Sequence, residues 1–307
     1  MILISFISFL CGFTTSSNRF AKKRNRNGII LELRISPKEG KTTKEILNKK
    51  EQREMKKQIE IQIENEFRKI ERSQMKKYPL LRGCIRDGIL YPEQYEKSPF
   101  KMLVLLKEPY DEWDDNTETP IGGDFGFVDV IYNLETHCQE GLNKTWRKIA
   151  AIAYALKEGT KYTEDLSYEQ IKEGLECVCF INLSKTPWRT TSDLKDPSYQ
   201  QRVKDWESVV KAQLLHIDFD VVLYGGTWLS SSLNPINPNE VWDYAKIQNI
   251  QLYKRKTPGN KNLTIQILRY DNSKQIIVNG YHPAFGNCAC WQTECIRNYY
   301  EKTKEFI

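Results

Sequence analysis

The feature that most constrains this chain is a set of short runs that are apolar at almost every position. Residues 102–106, 177–183 and 220–224 are the clearest. A strand with one wet face alternates apolar and polar residues, whereas a strand apolar on both faces must be covered on both. The usual cover is the crossover helices of a parallel sheet. The stretches between the runs fit that role. Residues 145–156 place Trp146, Ile149, Ile152, Ala153 and Leu156 on one side of a helix. Ser167 with Gln170 forms a capping box that opens a short helix. Pro197 precedes a helical pattern over 198–216, Gly225-Gly226 turns toward another helix, and a last helix is expected near 291–306. Residues 263–269 and 275–279 read as a hairpin through Asp271-Asn272-Ser273. The expected fold class is α/β, with a mainly parallel central sheet.

The N-terminal part has a different character. Residues 42–77 read as one helix, with Thr42 and Glu45 as a capping box and Met55, Ile59, Ile63, Phe67 and Ile70 as one apolar stripe. That stripe packs either on the main domain or in a coiled-coil dimer. Its length and the change of pattern at Pro79 divide the chain into a basic extension, 1–78, and a main domain, 79–307. The first hundred residues hold 22 Lys and Arg against 12 Asp and Glu; the rest hold 24 against 28. A basic arm that includes Lys22, Lys23 and Arg24 therefore reads either as a contact for polyanions or as part of a solvated face. Met1 to Phe13 are apolar, but the positive charges follow them instead of preceding them, which argues against an export signal. No apolar run reaches the ~20 residues needed to cross a bilayer, so membrane insertion is not expected. The eight cysteines are expected to be buried thiols in a reducing cytoplasm, with Cys177 and Cys179 on one face of a strand. The spacing of Cys288, Cys290 and Cys295 matches no standard zinc site, and no metal is expected.

In open α/β sheets, ligands bind beyond the carboxyl ends of the strands. Lys107-Glu108-Pro109-Tyr110 follows the first run. Asn182 ends the second, and Tyr281-His282-Pro283-Ala284-Phe285 follows the hairpin. A carboxylate, an amide and an imidazole can thus share one cleft, with prolines stiffening two of the three turns.

This ordered set resembles the uracil-DNA glycosylase superfamily over roughly residues 100–300. The resemblance implies a three-layer fold with a central four-stranded, mainly parallel sheet flanked by helices, here preceded by a long N-terminal helix. Leu106-Lys107-Glu108-Pro109-Tyr110 stands where the family has its first motif, Gly-Gln-Asp-Pro-Tyr. Phe125, with Phe127 as runner-up, stands for the aromatic that stacks on the extruded base. Asn182 stands for the residue that reads the base edge, and His282-Pro283-Ala284-Phe285 for the last motif, His-Pro-Ser-Pro. Implied roles follow: Glu108 and His282 catalytic; Tyr110, Phe125 and Asn182 base-binding; Lys107, Phe285, Lys22, Lys23 and Arg24 DNA-binding. The implied activity is hydrolysis of the N-glycosidic bond of uracil or a modified pyrimidine in DNA, without metal or organic cofactor and without an obligate protein partner. Two alternatives stay open: a glycosylase of anti-phage defence acting on a hypermodified cytosine, and a non-catalytic nucleic-acid-binding protein on the same fold. Lys107, whose ammonium can pair with Glu108 and silence it, supports the latter.

Overall fold

The computed structural model describes residues 43–127, 134–140, 142–189, 196–227, 247–256, 262–270 and 275–303. Residues 1–42, which include the apolar start, the basic arm with Lys22, Lys23 and Arg24, and Thr42 of the capping box, lie outside the described residues. So do the helix expected after Gly226 and the turn at Asp271-Asn272-Ser273.

The elements in chain order are α1 (Thr43–Lys77), β1 (Gly88–Ile89), α2 (Pro92–Lys97), β2 (Met102–Leu106), β3 (Trp113–Asp114), β4 (Thr119–Pro120), α3 (Leu134–Glu140), α4 (Lys144–Lys157), α5 (Tyr168–Glu176), β5 (Val178–Asn182), α6 (Pro197–His216), β6 (Val221–Gly225), β7 (Ile247–Lys256), β8 (Asn262–Tyr270), β9 (Ile276–Gly280) and α7 (Cys288–Thr303). Residues 53–307 form one compact unit, so most of α1 belongs with the sheet.

Among the described residues the sheet has seven strands, in the order β1-β5-β2-β6-β9-β8-β7, rather than the four that the resemblance implies. Its centre, β5-β2-β6-β9, is parallel throughout. Antiparallel strands extend both edges, β1 on β5 and the β7–β8 ribbon on β9. The all-apolar runs are these central strands, and their side chains alternate between two cores. Met102, Val104, Val178, Phe180, Val221, Leu223, Ile276 and Val278 face one core, covered by α4, α5 and α7. Leu103, Leu105, Cys179, Ile181, Val222, Tyr224 and Ile277 face the other, covered by α6 and by Phe67 of α1. Each fully buried aliphatic side chain contributes ~1.5–3 kcal/mol, so these strands have no stable place at a wet surface.

Local signals set the helix starts. Ser167 and Gln170 form the expected capping box of α5. Asn143 caps α4 by accepting the Thr145 N–H, and Asp196 caps α6, whose first residue is Pro197. Cys177 corrects the expectation that it shares a face with Cys179. It is the C-cap of α5, and its ψ of 16° lies far from the extended range of a strand. Strand alternation starts only at Val178, so the two thiols enter opposite cores. The apolar stripe of α1 docks through its C-terminal half: Phe67 is buried with its ring 4.9 Å from Trp206, while Met55 is exposed.

Candidate functional site at the carboxyl edge of the parallel strands

The four parallel strands end together. Leu106 is in register with Asn182, and Gly225 with Gly280. Beyond the ends, Ser184 N–H donates to the Lys107 carbonyl at 2.9 Å, and Gly226 N–H to the Gly280 carbonyl at 3.2 Å. Gly226 has φ of 72°, and a Cβ there would stand 3.3 Å from the His282 nitrogen in a conformation costly for other residues. That turn lets β6 close against the His282 segment.

His282 is half-buried. Its Nδ1 accepts the Ala284 N–H at 3.2 Å, so the neutral ring carries its proton on Nε2. Burial, and next the nearby Lys107 ammonium, pull its pKa below the ordinary 6.5. The imidazole is therefore neutral at pH 7 and keeps a donor. The turn after it is held from below by Lys148 of α4. This lysine is buried, with Nζ donating to the Gly286 carbonyl at 2.6 Å and facing Glu164 at 3.4 Å. Phe285 stands 56% exposed at the tip of the turn. Its ring stacks on Tyr281 at 6.0 Å, and Tyr281 on Trp291 at 6.5 Å.

Glu108 does not lie open in a cleft. Its side chain is fully buried, and Oε2 accepts from Arg202 of α6 at 2.8 Å. The Arg202 guanidinium lies 3.6 Å from the Trp188 ring centre. Trp188 also grips the same loop through its backbone, donating to the Pro109 carbonyl at 3.0 Å and accepting from the Asp111 N–H at 3.4 Å. Tyr110, which bridges to Trp188, is 57% exposed.

Asn182 is buried, and both its backbone N–H and Nδ2 donate to Asp87, at 2.6 and 3.2 Å. Asp87 in turn forms a buried pair with Lys185 at 2.6 Å. Burial lowers the Lys185 pKa, against the pull of Asp87. Phe125 is half-buried and tied to this corner through Arg86, whose N–H donates to the Phe125 carbonyl at 3.0 Å. The loop before it turns at Gly123, φ 97°, where a Cβ would meet the Gly83 carbonyl. Phe127 is buried edge-on between Trp146 and Phe180, in the core and away from any stacking role.

The structure thus gathers Lys107, His282 and Gly226 at one point of the edge, with Glu108 beneath the loop and Asn182 turned onto Asp87. Sequence reading missed Arg202, Trp188, Asp87, Lys185 and Lys148. Arg202 left a signal, because it falls on the apolar face of α6 with Tyr199, Val203 and Trp206. A cation on such a face needs a buried partner. Asp87 and Lys185 sit in irregular segments without periodicity and left none.

A cleft of about 460 Å³ lies elsewhere, between α1 and α6, lined by Lys69, Ser73, Gln74, Lys77, Gln201 and Asp205 among others. Its two lysines face Glu66 and Asp205, which leaves it without excess charge to recruit an anion. No described helix is long and apolar enough to cross a membrane. Comparisons with protein-family models, with curated proteins and with solved structures found no match.

Proposed function

We propose that the chain is a DNA glycosylase of the uracil-DNA glycosylase superfamily, hydrolysing the N-glycosidic bond of a flipped-out uracil or modified pyrimidine. The observation that carries this reading is His282: a neutral imidazole with its proton on Nε2, at the carboxyl edge of parallel strands and beside the Lys107 ammonium. In the reaction, water adds to the sugar C1′ and loses a proton. The bond from C1′ to the base nitrogen breaks, its electrons leave with the base, and the base takes up a proton. Positive charge grows on the sugar and negative charge on the base oxygen. The Nε2–H and the Lys107 ammonium stabilise the second; the Glu108 carboxylate, fully buried beneath the loop, offsets the first through its field and not by contact. The base has to leave the helical stack to reach such a site, and the exposed Phe285 is an apolar wedge suited to hold the gap. Phe125 offers a stacking face, whereas the Asn182 amide is buried against Asp87.

Tyr110 bears on which base enters. A Tyr turned into the pocket closes the space at carbon 5 of a pyrimidine, and an exposed one leaves it open. The Glu108–Arg202 pair supports a second reading, a nucleic-acid-binding protein without chemistry, because the carboxylate is satisfied inside the protein.

One assay separates the three. Oligonucleotides carrying uracil, a thymine mispair, 5-hydroxymethylcytosine or its glucosylated form, single- and double-stranded, are incubated with the protein and tested for abasic sites. Abasic sites on the substituted bases alone fit the open pocket, and on uracil alone the closed one. DNA binding with no abasic site on any substrate leaves the binding protein.

A further inference from the structure

We infer that Arg202 is a positioning residue that holds the Glu108 carboxylate in its working place, clamped between a guanidinium and the Trp188 ring; this rests on the glycosylase reading. The two side chains are 1% and 0% exposed and meet at 2.8 Å. Arg202 is itself immobilised, stacked at 3.6 Å on Trp188 and hydrogen-bonded through Nη1 to Ser198 at 3.2 Å. Trp188 is boxed edge-on by Trp113 at 4.6 Å and Tyr78 at 5.9 Å. Because Trp188 also pairs with the backbone of Pro109 and Asp111, the clamp grips the Glu108 loop by side chain and main chain together. Arg202 belongs to α6 and reaches Glu108 across 94 residues of chain. Rigid support of a carboxylate within a fraction of an ångström is what a charge-stabilising group requires. Arg202 and Tyr199 of α6 face Glu108, and burial, then Glu108, raises the Tyr199 pKa.

The test is a double-variant cycle on the full chain, read as single-turnover excision of whichever base the wild type releases, beside DNA affinity. Arg202→Lys keeps the charge and loses the planar stack; excision should fall ~10- to 100-fold, the scale of a misplaced catalytic group, with DNA affinity unchanged. Arg202→Met should add no further loss in a Glu108→Gln background, because Arg202 acts only through Glu108. Should Arg202→Met alone fail to fold, the Arg202→Lys variant and the double variant, which buries no lone charge, still decide. Wild-type excision by Arg202→Lys, or an equal loss from Arg202→Met with and without Glu108→Gln, would overturn the positioning role alone. Absence of excision by the wild type on every base removes the glycosylase reading and this role with it, a result distinct from either.

Discussion

Among the described residues, Arg202, Lys185 and Lys148 are cations buried almost completely, and each holds one loop of the carboxyl edge. Arg202 holds the Glu108 loop, Lys185 the Asp87 segment and Lys148 the turn after His282. A buried charge without a partner is costly, so the loops inherit the rigidity of the pairs. Asp87→Ala should therefore destabilise the fold by ~3–5 kcal/mol, because it leaves the Lys185 charge buried alone; urea denaturation measures it. His282 behaves oppositely, since its folded form avoids the proton. As pH falls through the ordinary 6.5, the unfolded chain binds a proton there and the folded chain does not, so stability drops until the lowered folded pKa is passed. A His282→Gln variant should lose less stability between about pH 7 and pH 5 than the wild type. Lys107→Met removes the smaller of the two causes of the shift, and the His282 midpoint in an NMR titration should move up.

At the scale of elements, α1 is more than a basic arm. Gln74, buried near its C-terminal end, accepts from the Thr186 hydroxyl at 3.2 Å and donates to Asp205 at 2.9 Å. Thr186 in turn accepts from Trp206 Nε1 at 3.0 Å. Thr186 lies two residues before Trp188, so the helix supports the segment that clamps Glu108. Phe67→Ala should cost ~3–5 kcal/mol, the range for a buried aromatic. Removing residues 1–52 should leave the melting temperature of the rest unchanged, whereas removal through residue 78 strips Phe67 and Gln74 from the core face and should unfold it.

At the scale of the whole molecule, charge is divided along the chain, with the cationic excess in the first hundred residues. If that excess meets phosphates, removing residues 1–52, and with them Lys22, Lys23 and Arg24, should reduce the slope of log K against log salt by ~0.9 per lost contact on duplex DNA. An unchanged slope would leave DNA contact to the main domain. Excision by the truncated chain should persist, because Glu108, Arg202 and His282 all lie in the compact unit from Arg53 onward.

The amino-acid sequence alone determined the layers. Apolar runs such as Met102–Leu106 and the capping box at Ser167 depend on neighbours a few residues away, and both stand in the structure where periodicity placed them. The sequence also pointed to the edge along which Lys107, Asn182 and His282 stand, because strand ends follow from strand positions. Only the tertiary structure decided what those side chains touch. The partner of Glu108 is Arg202 and that of Asn182 is Asp87, 94 and 95 residues away. Of the edge strands, β8 was legible as one arm of the hairpin with β9, but β1 and β7 were hidden. Among them, β7 is a polar, half-wet ribbon whose pairing with β8 depends on register rather than on an apolar run. Local pattern fixes which face of an element is dry; which charge meets which inside the fold depends on how the elements pack, and no stretch of sequence carries that by itself.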